Sequence, residues 1–542
     1  VKYAVIGSGP SGANAALTLL KRGKEVVLFD VGTEEEKAPH PGRNFQEFKA
    51  AIPDPYTYFL GDDYRGVLMP SSESIFDYPP SRNFRIDPDR DPWLKFAPSS
   101  FIPVISHNRG GLGVAWGANT LPYDDDDLRG FPINFSDLEP YYRKAAERMT
   151  ISGPSEDLLS PYLKDGYVTS PPLRLNSHDR LFLEGFADTR RKGGDDLLVG
   201  IARMAVDNRP DSPRRCTYDN RCLWGCGAGA IYDPRTTLEE CRRYPQFRYR
   251  PASFVTRFGT GERRVTAIHL YNTKEKKKEE AAADVILLAA GAISSGGIFL
   301  RTLKNDPLLQ KELAGGEPRT RSLLDTRVIK IPYLFSKMIG RRMPADDFQF
   351  NKLIAAIRTQ QEGYPSYIHG EVLSLASLLY HPLIESLPLG SRYAARIFPF
   401  VKPALGVVTW FLPDRPNGSN GVKLTPDPGS VTGDRLELLY QEDEGKERLR
   451  ERVIETTLKT LRKIGCLVSR GRILHPPAGS GIHYAGTIPM SAEKDLRSAD
   501  RNGRTYAYEN LFVADGASFP SLPSKSITFS LMANAIRVAE AA

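Results

Sequence analysis

The chain has 542 residues, of which 41% are hydrophobic and 25% charged, and its formal net charge is +8. That length accommodates two domains, or one large domain with an inserted lobe, and the composition excludes a disordered or collagen-like chain. No run of eighteen apolar residues marks a membrane span, and no zinc-finger spacing or RNA-binding aromatic signature accompanies the positive charge, so nucleic acid is not an expected partner. The five cysteines are too few, and odd in number, for a disulfide framework. The first residues enter an apolar run without the charged-then-apolar pattern of a secretory signal, so a cytoplasmic protein is expected, with contact at the inner face of the membrane left open.

The opening stretch, KYAVIGSGPSGANAALTLLKRGKEVVLFD, reads as a buried strand, a glycine turn, an amphipathic helix and a second strand ending in an acid. Gly7 allows the tight turn, Gly9 lets backbone approach a pyrophosphate, and Gly12 lets the helix pack on the sheet; Pro10 and Ser11 open the helix. Asp30 stands where a carboxylate can hold a ribose diol. This pattern predicts a dinucleotide site without separating NAD from FAD. At the other end, NLFVADGASFP and the residues after it predict a short strand, a turn at Asp515 and Gly516, a proline-rich loop and a closing helix that can return to the first domain.

The middle of the chain, about 130–240 and 305–470, is irregular and rich in Pro, Gly and Arg, as expected of a lobe inserted between nucleotide-binding segments. The runs DDDD (Asp124 to Asp127) and KEKKKEE (Lys274 to Glu280) read as solvated loops, the second as a turn between strands. Cys216, Cys222, Cys226 and Cys241 have spacings unlike a zinc ribbon, so no metal site is expected; buried thiols in a cofactor-lining loop are the preferred reading, with one disulfide as the alternative. In residues 373–413, Arg392, Arg396 and Lys402 punctuate Phe398, Phe400 and Trp410 with no acid between Glu385 and Asp414. Such a mixture suits an anionic membrane surface, but buried packing or an interface is the favoured reading.

RGGLGVAWGAN (109–119), FSDLEPYYRKAAERM, ADVILLAAGAISS (283–295) and GIHYAGTIPM complete a set of segments which, with the two ends of the chain, resembles the glucose-methanol-choline (GMC) oxidoreductases, FAD-dependent enzymes that oxidise alcohols. The resemblance implies an α/β fold: a Rossmann-like FAD-binding domain with an inserted α+β substrate-binding lobe built on a mostly antiparallel sheet. Its expected boundaries are FAD domain 1–129, 241–304 and 471–542, and lobe 130–240 and 305–470. It implies FAD contacts by Gly7, Gly9, Pro10, Ser11, Gly12 and Asp30, then by Arg109, Gly110, Gly111, Gly113, Trp116, Gly117 and Asn119 in the glycine-rich loop. Val255, Ala290, Gly291, Asp515, Gly516, Ser526 and Thr528 follow from the later segments. Ala115 stands where some relatives carry the histidine that bonds flavin covalently, which implies non-covalent FAD. The proline usual after the serine of GAISS is absent.

Oxidising an alcohol at a flavin requires removal of a hydroxyl proton, a task suited to histidine, whose ordinary pKa of about 6.5 lies near working pH. His483, between glycines and small residues in the motif, is the expected base, with Tyr484 and Thr487 supporting it; His107 is a flavin contact and His475 structural. The family's second catalytic position falls at Ser526, too weak a base for that role but able to hydrogen-bond, with Lys525 beside it to stabilise negative charge. The expected substrate is a small-molecule alcohol: a sugar, polyol or lipid-linked sugar. Oxygen, quinone or protein as electron acceptor, and the oligomeric state, are left open. Two alternatives stand beside this reading: a redox-neutral, lyase-like enzyme with structural FAD, and a membrane- or partner-binding protein with a relic nucleotide site.

Overall fold

The computed structural model describes residues 1–34, 45–60, 86, 91–164, 166–191, 196–312, 319–344, 353–359, 364–374, 384 and 389–542. A five-stranded parallel sheet is ordered Leu511–Val513, Val285–Leu288, Lys2–Ile6, Glu25–Phe29, Phe247–Arg250. Its central strands are unbroken apolar runs, buried on both faces, as a parallel sheet requires. Helix Pro10–Lys21 starts on Pro10, whose fixed φ suits the first turn, and its small residues Ala13, Ala15 and Ala16 are fully buried. Helices Ala292–Lys304 and Thr528–Ala541 complete this layer.

The second sheet has six antiparallel strands in the order Cys466–Leu467, Arg327–Phe335, Leu405–Leu412, Tyr367–Ser374, Leu353–Arg358, Leu197–Ile201. Period-two alternation divides its faces. Ile329, Ile331, Val408, Trp410, Leu412 and Val372 pack against helices Ser177–Arg191 and Lys446–Ile464, while Val328, Lys330, Thr409, Phe411, Glu371 and Leu373 face a cavity shared with the parallel sheet. A three-stranded sheet, Ser253–Gly261, Arg264–Asn272 and Lys277–Ala281, packs on helix Ala292–Lys304; the KEKKKEE run forms the expected turn within it.

The DDDD run departs from its expected solvation. Asp127 is buried and pairs with Lys525 at 2.6 Å, and Asp124 pairs with the same ammonium at 3.0 Å. Asp125 accepts the backbone N–H of Phe135, and Asp126 that of Ser366. A buried lysine some four hundred residues away turns an acidic loop into a structural anchor, because an unpaired ammonium in the interior would be costly.

Part of 373–413, at 375–383 and 385–388, lies outside the described residues. Phe398 and Trp410 are buried, in accord with packing. Helix Ser391–Val401 nevertheless turns a second face outward: Tyr393 is 64%, Ile397 44% and Phe400 61% exposed, beside exposed Arg392 and Arg396. Among the described residues no helix is long and apolar enough to cross a membrane.

His178 locks helix Ser177–Arg191 to the antiparallel sheet. Its fully buried ring contacts the Pro403 carbonyl through Nδ1 (2.9 Å) and the Tyr333 hydroxyl through Nε2 (3.0 Å). Burial pushes its pKa down to about 4, so the fold favours the neutral ring. That contribution is present above the unfolded value of about 6.5 and is lost as pH falls through 4, for a total of roughly 3 kcal/mol. Urea unfolding at pH 7, 5.5 and 4 is expected to show His178→Gln less stable than wild type at pH 7, with the gap closing by pH 4; a gap that stays constant would contradict the assignment.

Candidate active site

The cavity, about 630 Å³, lies at the carboxyl ends of the parallel strands, the usual ligand position in open α/β sheets. Ile6 and Gly7, Phe29 and Asp30, Ala289 and Ala290, and Asp515 and Gly516 line it from four successive strand ends. Three helix amino termini also open onto it: Gly9, Pro10 and Ser11; Gly291, Ala292 and Ile293; and Ser526, Ile527 and Thr528. Unsatisfied N–H groups and helix dipoles converging in this way suit a pyrophosphate.

Each glycine of the first turn has a distinct reason. Gly7 has φ +99°, and a Cβ there would come within 2.5 Å of the Ala289 carbonyl oxygen. At Gly12 a Cβ would lie 1.9 Å from the Gly7 oxygen, so this residue serves close packing and does not line the cavity. Gly9 has no atom within 4 Å of its Cβ position; the space it leaves belongs to the cavity. Asp30 accepts hydrogen bonds from Ser8 and, at 2.8 Å, from Tyr249. Burial nevertheless pushes its carboxyl up to about 7.

The carboxylate of Asp515 accepts the Gly291 N–H (2.7 Å), the Ser295 hydroxyl (2.6 Å) and the Ala517 N–H (2.9 Å), so it orders backbone turns at the cavity wall. Burial raises its pKa to about 6. Two buried amides are left incomplete nearby: among the described residues, both polar atoms of the Asn108 side chain and Oδ1 of Asn119 have no hydrogen-bond partner, and both residues line the cavity. Orphaned amides, an open glycine cradle and three helix amino termini in one cavity fit a dinucleotide, FAD included.

His483 lines the same cavity. Its Nδ1 lies 3.1 Å from Thr326 Oγ1, and its ring centroid is 5.5 Å from that of Phe411. The turn that presents it is tight: a Cβ on Gly481 would meet the Thr326 carbonyl oxygen at 2.0 Å, and one on Gly479 (φ +91°) the Ile102 oxygen at 2.1 Å. Ile482, beside the histidine, has φ 57°, an uncommon and strained conformation for a β-branched residue. Asp325 holds the turn by accepting the Gly479 N–H at 2.7 Å.

Gly111, Gly113, Trp116, Gly117, Val255, Ser526 and Thr528 line the cavity, together with His107, which also contacts Asp91 at 3.2 Å. Several expectations need correction. Arg109 is engaged by Glu34 (2.8 Å) and Glu239 (2.7 Å) and does not line the cavity; Gly110 also stands back, its N–H donating to Ser8 at 2.8 Å. Lys525 is 1% exposed and bound to Asp124 and Asp127, so the serine and the lysine that neighbour each other in sequence point to different places. Thr487 donates to the Ala292 carbonyl at 2.7 Å and supports a helix start, not His483. Tyr484 lines the cavity while its hydroxyl accepts the Val104 N–H and donates to Gly479. Cys222 and Cys226 line the cavity, and all five cysteines are free thiols.

Sequence reasoning missed Thr326, Asn108 and the wall formed by Lys330, Thr409 and Glu371. In the sheet register Thr409 pairs with Lys330 on one side and Glu371 on the other, giving a cation, a hydroxyl and a carboxylate in one row. Glu371 accepts a hydrogen bond from Asn119. The alternation of polar with apolar residues in VIKIP and VVTWF was the available signal.

Residues 470–535 match the GMC oxidoreductase family in its carboxy-terminal region. The fructose dehydrogenase large subunit of Gluconobacter japonicus is 25% identical over 246 residues, 42% of this chain and 41% of that one. An uncharacterized GMC-type oxidoreductase of Sinorhizobium fredii is 43% identical over 61 residues, 11% and 12% of the two chains. The chain thus spans less than half the length of these curated relatives. The fold is similar to that of pyridoxine 4-oxidase from Mesorbium loti, at TM-score 0.62 and 16% identity over 100% of this chain and 98% of the other. It is also similar to an FAD-dependent oxidoreductase from Chaetomium thermophilum, at TM-score 0.56 and 15% identity over 99% and 98%. The carboxy-terminal match falls on the segment that carries His483, Asp515 and Ser526, and the rest of the chain shares the fold of the solved oxidoreductases it resembles.

Proposed function

We propose that the protein is an FAD-dependent oxidoreductase that converts a polar alcohol, of the sugar or polyol kind, to the carbonyl compound. The observation that carries this reading is that His483 and the Gly7–Gly12 turn open onto one cavity. Asp30 would hold the ribose diol, the three helix amino termini the pyrophosphate, and Asn108 and Asn119 the polar edge of the cofactor. Ala115, which stands where some relatives carry the flavin-bonding histidine, lines the cavity, and this supports non-covalent FAD.

When bound, flavin supplies the acceptor for the hydride leaving the carbinol carbon. The residues of the chain manage the proton. Thr326 Oγ1, 3.1 Å from Nδ1 of His483, orients the ring; in the tautomer that carries its proton on Nδ1, Nε2 would take the hydroxyl proton as the carbonyl forms. Ser526, at the start of the closing helix, offers a hydroxyl for orienting the substrate. Phe411, its ring centroid 5.5 Å from that of His483, and Ile482 add apolar surface to the cavity wall near the histidine.

The outward face of helix Ser391–Val401 favours a peripheral contact with an anionic bilayer: Tyr393, Ile397 and Phe400 insert at the interface while Arg392 and Arg396 meet lipid phosphates.

Three measurements test these readings. Mixed anaerobically with sugars, polyols and aliphatic alcohols, the wild type is expected to lose its oxidised-flavin absorbance with one class. His483→Ala should slow that loss by about 10²–10⁴-fold at unchanged FAD content, and Thr326→Val by about tenfold with a shifted pH profile. Equal rates in His483→Ala and wild type would remove the histidine from the proton step. Gly9→Val should purify folded, by circular dichroism, yet without flavin absorbance; full FAD occupancy would contradict the cradle. Finally, the protein should float with phosphatidylglycerol vesicles but not with phosphatidylcholine, and Tyr393→Ser/Ile397→Ser/Phe400→Ser should stay in the dense fraction. Wild type remaining there in both cases would end the membrane reading.

A further inference from the structure

We infer that the wall beyond His483 is a receptor for an anionic group on the alcohol substrate, with Lys330 as its cation. This deepens the oxidation reading and rests on it for the position of the hydroxyl.

Lys330 lies in the middle of strand Arg327–Phe335 and points into the cavity. Its ammonium makes no hydrogen bond or ion pair among the described residues, although it is half-buried. Burial alone holds its pKa below the ordinary lysine value, and no neighbouring acid opposes that shift. Its cross-strand neighbour is Thr409, and the nearest carboxylate in the row, Glu371, is one strand further on, with backbones about 10 Å apart, and is occupied by Asn119. A half-buried lysine facing a cavity without a partner bears part of the cost of desolvation uncompensated, and Lys525 in the same molecule illustrates the alternative, with two carboxylates built around its ammonium. Lys330 has been left for a charge that arrives from outside.

Register sets the distance. Val328 pairs with Phe411, whose ring lies against His483, and the Lys330–Thr409 pair is two residues further along the strands, about 7 Å away. An alcohol whose hydroxyl meets His483 therefore brings a group four or five bonds away to the ammonium, with the Thr409 hydroxyl between. A carboxylate or a phosphate monoester at that reach supplies the missing charge.

The test uses the flavin-loaded enzyme and a matched series: pentanediol, hydroxypentanoate and hydroxypentyl phosphate as reductants, with pentanoate and pentyl phosphate as ligands that cannot be oxidised. Wild type should reduce its flavin with an anionic member at a kcat/KM at least about tenfold above that for pentanediol, the gain lying in KM. Lys330→Met should collapse that ratio toward one, and Lys330→Arg should keep most of it. The same variants should order the dissociation constants of pentanoate or pentyl phosphate, read from the shift of the flavin band and weakened by salt, and the tighter of the two names the anion. If no alcohol reduces the flavin but anion binding still depends on Lys330, the anion site stands and the oxidation reading falls. Equal preference for pentanediol and the anions in wild type, or a preference and anion affinity unchanged in Lys330→Met, overturns the inference.

Discussion

The site depends on the carboxylate of Asp515. The cavity is walled by strand ends and helix starts that lie hundreds of residues apart in sequence, and this one buried acid accepts hydrogen bonds from both the Gly291–Ser295 turn and its own Ala517 turn. Three donors on one carboxylate fix the amino terminus of helix Ala292–Lys304 against the end of strand Leu511–Val513. The next segment, through Ser526 to Thr528, enters the closing helix from that fixed point. A neutral residue at 515 would leave several buried donors unsatisfied at once, each costing about 1–3 kcal/mol. Burial already pushes the group toward protonation, so its ionisation is balanced between desolvation and the bonds it accepts.

A second anchor works by opposite logic. Lys525 and Asp127 bury their charges together with half-buried Asp124 as a second partner, while Asp125 and Asp126 accept the backbone N–H groups of Phe135 and Ser366. This knot joins the loop after the glycine-rich segment to the start of the closing helix. Lys525 faces the knot and Ser526 faces the cavity, so the knot sets where the serine hydroxyl sits. The ion pairs contribute position more than stability, since desolvating two acids and an ammonium offsets much of their attraction.

The parts legible in sequence were those where one short segment carries its own reason. The Gly7, Gly9, Gly12 and Asp30 pattern, the His483 turn and the Asp515 strand each combine local conformation with local chemistry, and all but Gly12, whose purpose is packing, reach the cavity. Arg109, Lys525 and Thr487 misled because nearness in sequence stood in for nearness in space; each is claimed by partners from another part of the chain. Lys330, Thr409 and Glu371 were invisible for a complementary reason. Their alignment exists only once three strands pair in one register, and a slip of one residue would turn all three to the opposite face.

The conformation of Ile482 bears on how such a site is maintained. A β-branched residue at φ 57° is costly, and a glycine there would be relaxed. Its neighbours leave no easier path: Gly479 and Gly481 are pressed against the Ile102 and Thr326 carbonyls, and Asp325 holds the Gly479 N–H. The chain therefore turns at 482 to present His483 to the cavity, and the isoleucine side chain lines that cavity too. The strain at 482 is held by the packed glycines on one side, while Thr326 and Phe411 contact the imidazole on the other. In the oxidation proposed for this site the orientation of that ring is what matters, since an imidazole held through Thr326 meets the hydroxyl placed against it in one geometry.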